Sequence, residues 1–132
     1  MKLVPIGIEK FKEMIDKNAY YVDKTNLIEN VLNEQSVFFT RPRRFGKTLN
    51  MSTLKYFFNI ENKDENRKLF NGLYIENSPL IEEQGKYPVI FLSLKGITAS
   101  TWEGAVKNIR DKILNGNSIY SAFYDYNTIF GD

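Results

Sequence analysis

The chain has 132 residues, 42% of them hydrophobic and 26% charged, with a formal net charge of +2, the balance of a folded globular domain. It contains no cysteine and no histidine. Disulfide frameworks, thiolate zinc sites, iron–sulfur clusters, cysteine nucleophiles and all histidine-based catalysis or metal binding are thereby excluded, so any chemistry runs on carboxylates, Lys, Arg, hydroxyls or a bound ligand.

Met1 to Ile8 carries a charge at Lys2, no sustained apolar stretch and no small-residue cleavage site, and does not read as a signal peptide. No apolar run approaches the roughly 18–20 residues of a membrane span. A cytoplasmic protein without membrane partners is expected, and the absence of cysteine fits a reducing compartment.

Ile8, Phe11, Met14 and Ile15 recur at near-helical spacing and predict an amphipathic helix over residues 8–17. Residues 18–22 are predicted extended. Asp23 or Thr25 then caps a second helix with Leu27, Ile28, Val31 and Leu32 as its apolar stripe. Ser36-Val37-Phe38-Phe39-Thr40 is a short apolar run without alternation, the pattern of a buried central strand. Pro42 and Gly46 mark the following stretch as a loop, and Met51, Leu54, Phe57 and Phe58 predict a helix behind it. Residues 61–72 are polar, with Leu69-Phe70 as anchor and Asn71-Gly72 as a turn; Asn77-Ser78-Pro79 marks another. Tyr87 to Leu94 is predicted as a second buried strand, with Pro88 at its start, where a missing amide does least harm. Ser100 and Glu103 then form a capping-box pattern before a helix carrying Trp102, Ala105, Val106, Ile109 and Ile113 and ending at Asn115-Gly116. Strand, loop, helix, strand, turn, helix predicts an α/β fold with a mainly parallel sheet flanked by helices.

Arg41-Pro42-Arg43-Arg44-Phe45-Gly46-Lys47-Thr48 carries the chemistry. A phosphate loop needs free backbone amides, a Lys to reach phosphate oxygens and a hydroxyl for Mg²⁺. Gly46-Lys47-Thr48 supplies the end of that pattern, between a predicted strand and a helix whose N-terminus adds its own amides. Arg41 stands where the usual first glycine would be. No acidic residue occurs from Gln35 to Ile60, while Arg41, Arg43, Arg44, Lys47 and Lys55 all fall there, a concentration of positive charge suited to a polyanion. The same residues also fit an ordinary loop glycine and a solvated basic face.

Arg41 to Leu49 resembles the modified Walker A loop of the AAA-ATPase-like family of bacterial proteins, whose members often carry a PD-(D/E)XK nuclease-like domain at the carboxyl end. Pro5-Ile6-Gly7-Ile8-Glu9-Lys10-Phe11, Tyr20-Tyr21-Val22-Asp23-Lys24-Thr25, residues 69–75 and residues 87–93 follow the family's order, so the resemblance spans roughly residues 3–113. An arginine at the first-glycine position is normal in that family. The resemblance implies an incomplete P-loop NTPase-like three-layer sandwich over residues 1–117, with an aromatic-rich tail at 118–132. It implies ATP and Mg²⁺ as ligands: Lys47 on the β- and γ-phosphates, Thr48 on the metal, and the amides of Arg44, Phe45, Gly46, Lys47, Thr48 and Leu49 around the phosphates. Arg43 or Arg44 adds charge. Tyr21, Asp23 and Lys24 fall near the base, or else Asp23 caps a helix and Tyr21 packs.

Hydrolysis also needs a second metal anchor and a group that positions water. The strand predicted at 89–92 ends in Ser93 rather than an acid, and Asp125 is the one late candidate, in a poor strand pattern. Glu61-Asn62-Lys63, Asp64-Glu65 and Glu82-Glu83 read as solvated charge. The expectation is the amino-terminal portion of a longer ATPase, which binds nucleotide without turning it over unaided. Assembly with itself or other chains, and contact with nucleic acid through a separate nuclease-like domain, go with the resemblance. Two other functions fit the residues: nucleic-acid binding, with Arg41, Arg43, Arg44, Lys47 and Lys55 on phosphates and Phe45 or Tyr56 stacked on a base, and a non-catalytic interaction module using the aromatic tail.

Overall fold

The computed structural model describes residues 2–93 and 95–116. The chain divides after Val89 into two compact units. The first holds α1 (Phe11–Asp16), α2 (Leu27–Leu32), α3 (Lys47–Phe58), α4 (Lys63–Lys68) and 3₁₀ helices at Tyr74–Asn77 and Pro79–Glu83. The second holds α5 (Trp102–Gly116). Among the described residues no helix is long and apolar enough to cross a membrane.

The expected sheet does not form. Among the described residues there is no strand, only isolated parallel bridges pairing Leu3 with Ala19 and Asn59 with Tyr87. The α/β sandwich with a mainly parallel sheet is therefore overturned, and the described chain is helical. The reason is non-local: an apolar, β-branched run becomes a strand only when another backbone takes up its amides and carbonyls. Residues 36–40 find no such partner, and Phe38, expected inside, is 88% exposed. In residues 87–93 only Tyr87 bridges, and Ile90 and Leu92 are exposed.

Helices carry the core instead. In α1, Phe11 and Met14 stand three apart on one buried face. In α2, Ile28 is buried, and in α3, Phe57 is buried beside two small polar residues, Ser52 and Thr53. Phe11, Ile28 and Phe57 meet Leu69, Phe70, Ile75 and Ile81 in one cluster. The Phe70 ring stacks on Phe11 at 5.0 Å and meets Phe57 edge-on at 5.3 Å. Each fully buried phenylalanine contributes about 1.5–3 kcal/mol relative to exposure.

The polar stretch at residues 61–72, for which the sequence predicts no helix, contains α4, Lys63–Lys68. Its Asp64 and Glu65 sit in the first turn and Arg67 and Lys68 in the last, matching the helix dipole at both ends. It is clamped from the side: Arg67 Nη1 donates to the Ile81 carbonyl at 2.8 Å, and Gln84 Nε2 donates to the Lys63 carbonyl at 3.1 Å. Ser78 caps the second 3₁₀ helix by accepting the Leu80 amide at 3.3 Å, with Pro79 in its first turn.

In the second unit, Thr101 Oγ1 accepts the Gly104 amide at 3.1 Å, so the cap of α5 lies one residue later than the Ser100 expected. Lys112 Nζ donates to the Ser93 carbonyl at 2.9 Å and also to that of Lys95.

Candidate functional site

The arginine-rich loop leads into α3 through two left-handed residues, Arg44 at φ +67 and Gly46 at φ +76. Glycine takes that conformation freely, whereas for an arginine it costs roughly 1–2 kcal/mol. Gly46 occupies the N-cap position, and no side chain caps the helix. The Gly46 carbonyl accepts the Asn50 amide at 2.9 Å, which starts the helical ladder. The first amides of a helix have no intrahelical acceptor, so α3 points hydrogen-bond donors and the positive end of its dipole out of the loop.

Lys47 spans the loop: its ammonium donates to the Arg41 carbonyl at 2.5 Å, closing a ring over six residues. An ammonium has three donors, so this contact leaves room for an incoming oxygen. Arg41 Nη1 in turn donates to the Thr40 carbonyl at 2.9 Å.

A cleft of about 780 Å³ opens at this end of α3. Arg44, Gly46, Lys47, Thr48 and Leu49 form one wall, and Pro5 to Glu9 with Met14 form the other. The second wall is brought there through α1. Ser52, buried on α3, accepts the amide of Phe11, the first residue of α1, at 3.0 Å. Residues 5–9 immediately precede α1, so this bond sets them against the N-terminus of α3.

The structure thus brings together most of the loop residues singled out from sequence and leaves others apart. Arg43 and Phe45 are exposed and do not line the cleft. Lys55 lies eight residues along α3, about 12 Å from Lys47 at a helical rise of ~1.5 Å per residue, with its ammonium 5.9 Å from the Tyr56 ring centre. Asp125 and the aromatic tail lie outside the described residues. Glu61 follows α3, its amide on the Asn59 side chain at 3.3 Å and its carbonyl accepting Asn66 Nδ2 at 3.1 Å.

Tyr21, Asp23 and Lys24 are not among the residues lining the cleft. Tyr21 packs edge-on against Phe11 at 5.4 Å. Burial pushes its hydroxyl above the ordinary tyrosine range, and the nearby Thr53 hydroxyl and Lys24 backbone pull it partly back. Asp23 spends its carboxylate on structure, accepting the Thr25 amide and hydroxyl on one oxygen and the Tyr74 amide on the other. Among the described residues no group of three or more acids is placed to hold a metal ion.

Residues 5–9 had a place in the resemblance but no chemical role. Their one local signal is Gly7, which sits at φ +74 and turns the chain between two isoleucines.

Comparison with known proteins agrees with the family resemblance. The family described as "Predicted AAA-ATPase" matches residues 5–128. A protein of Azotobacter chroococcum mcd 1, described as "Uncharacterized protein in vnfD 5'region", is 34% identical over 97 residues, covering 72% of this chain and 17% of its own length. The chain thus spans about a sixth of that relative. No solved structure matches. The chain belongs to the AAA-ATPase-like family.

Proposed function

We propose that this member of the AAA-ATPase-like family binds ATP with Mg²⁺ through a modified Walker A loop, Arg41 to Thr48. The observation that supports this best is the convergence of Lys47, Arg44, Thr48 and the uncapped start of a twelve-residue helix on one cleft. A triphosphate matches each feature: its oxygens accept from the amides of Lys47, Thr48 and Leu49, and its charge is balanced by Lys47 and Arg44. Arg43, exposed beside the cleft, adds to the field that draws the anion in.

The residues present fit Mg²⁺ as a shared ligand of nucleotide and protein. Thr48 supplies a hydroxyl oxygen, and Mg²⁺ characteristically keeps several waters and takes phosphate oxygens alongside one or two protein ligands. When bound, the metal neutralises phosphate charge. Lys47 keeps its role of holding the terminal phosphates, and Gly46 keeps the helix start clear of a side chain.

Binding, rather than turnover, is the activity proposed for these residues. Phosphoryl transfer requires a further acid and a water-positioning group, and the one carboxylate among the cleft's lining residues, Glu9, belongs to the segment before α1 and not to the loop.

Fluorescence anisotropy separates this function from nucleic-acid binding. A labelled ATP analogue is expected to bind with Mg²⁺ and to be displaced by ATP, while a labelled single strand binds weakly and loses affinity steeply with salt. Tight strand binding that ATP does not compete with would overturn the proposal.

A further inference from the structure

The cleft at the start of α3 has two chemically different walls. The loop wall is cationic and rich in donors. The facing wall is apolar at Pro5, Ile6 and Ile8, with the buried Met14 beside it. Ile6 is 88% exposed, an isoleucine left in water at the edge of an anion-attracting cleft. A polyphosphate has no use for such a surface. Resting on the nucleotide reading above, we propose that Ile6 and Ile8 seat the base of the bound nucleotide, so that this wall distinguishes a nucleotide from a bare polyphosphate.

Size, charge and rigidity support the assignment. A cleft of about 780 Å³ lies within the range of roughly 300–1,000 Å³ that holds a whole small ligand, beyond what a phosphate chain needs. The cationic groups of the cleft are on the loop: attraction to Arg44 and Lys47 draws the phosphates there and leaves the uncharged end of the ligand for residues 5–8. The apolar wall is also held in place. Gly7 at φ +74 turns the chain between Ile6 and Ile8, the Ile6 amide donates to the Val4 carbonyl at 2.9 Å, and the bond between Ser52 and the Phe11 amide fixes the following helix. A planar base covering Ile6 and Ile8 removes apolar surface from water, the same driving force that builds a core.

The test compares ATP with inorganic tripolyphosphate, both with Mg²⁺, on the whole chain and on Ile6→Ser and Ile8→Ser variants. The wild type is expected to bind ATP at least roughly tenfold more tightly than tripolyphosphate. Each serine variant is expected to weaken ATP roughly three- to tenfold and leave tripolyphosphate unchanged. Equal wild-type affinity for the two ligands overturns the base-seating role while leaving the loop's phosphate binding intact, as does an equal loss for both ligands in the variants. If the wild type binds neither, the phosphate loop itself is refuted, and the base seat with it. Ile6 is exposed, so serine there leaves the fold undisturbed, and Ile6→Ser alone decides the outcome if Ile8→Ser fails to fold.

Discussion

The Asp23 carboxylate accepts the Tyr74 amide at 2.6 Å, joining residues 51 positions apart. Its other oxygen takes the Thr25 amide at 2.8 Å and the Thr25 hydroxyl at 2.7 Å, and that hydroxyl oxygen accepts the Ile75 amide at 3.2 Å. One acidic side chain therefore starts the turn into α2 and pins it to the 3₁₀ helix at Tyr74–Asn77. Asp23→Ala is expected to cost about 1–3 kcal/mol, the range for losing hydrogen bonds to a charged group. Asp23→Asn keeps one acceptor oxygen but sets an NH2 donor in place of the other, so it should restore only part of the loss. Urea unfolding checks both, and ATP binding by whatever remains folded should be unchanged, because Asp23 does not line the cleft.

Ser52 does for the cleft what Asp23 does for the core. Alanine in its place removes the acceptor of the buried Phe11 amide, and an unpaired buried donor costs about 1–3 kcal/mol. Ser52→Ala should lower the urea midpoint accordingly. It should also weaken ATP more than tripolyphosphate, since it loosens the wall at residues 5–9 rather than the loop.

Gly85 is required twice over. It sits at φ +71, and a Cβ built on it would lie 2.5 Å from the Cβ of Lys63. Its amide also donates to the Phe57 carbonyl at 2.8 Å, so the backbone cannot simply move away. Gly85→Ala is expected to lose about 1–3 kcal/mol from strain and overpacking combined, read as a fall in Tm.

The Glu83 carboxyl is held below its ordinary value of 4.5, first by the Tyr87 hydroxyl at 2.5 Å and then by the Lys86 ammonium at 2.9 Å. A carboxyl with a lowered folded value binds its proton less readily than in the unfolded chain. Its contribution to stability is complete above the ordinary value and is lost as the pH falls through the lowered one. The group is exposed, so the effect is small and shrinks with salt. Unfolding midpoints measured from neutral pH down through the carboxyl range should fall less steeply in Glu83→Gln.

What the sequence shows and what it hides divides along local and non-local lines. Helices depend on spacing and end signals within one turn, and α1, α2, α3 and α5 stand close to where their apolar stripes place them. Even so, the stripe of α3 is misread at Met51, which is exposed while Ser52 and Thr53 are buried. A serine was chosen there because it accepts another helix's amide, a partner 41 residues away that no periodicity reveals. The α4 sequence Lys63-Asp64-Glu65-Asn66-Arg67-Lys68 has no apolar stripe, and its signal was the order of its charges. The apolar runs at 36–40 and 87–93 carry strand-forming residues, but strand formation needs a partner backbone along the run, and among the described residues only Tyr87 is bridged, to Asn59. The loop residues of the cleft, Arg44 to Leu49, are neighbours in sequence, so their grouping at the start of α3 needs no long-range contact. The wall at Pro5–Glu9 was not legible in this way, because it reaches the loop only through tertiary packing.

The most direct measurement is a calorimetric titration of ATP with Mg²⁺ into the whole chain beside Lys47→Ala. Saturable wild-type binding that Lys47→Ala weakens by roughly 10- to 100-fold, with the fold retained, is the predicted result for loss of a charge-assisted contact. A folded wild type that binds no ATP, or a Lys47→Ala variant that binds it equally well, contradicts nucleotide binding at the arginine-rich loop.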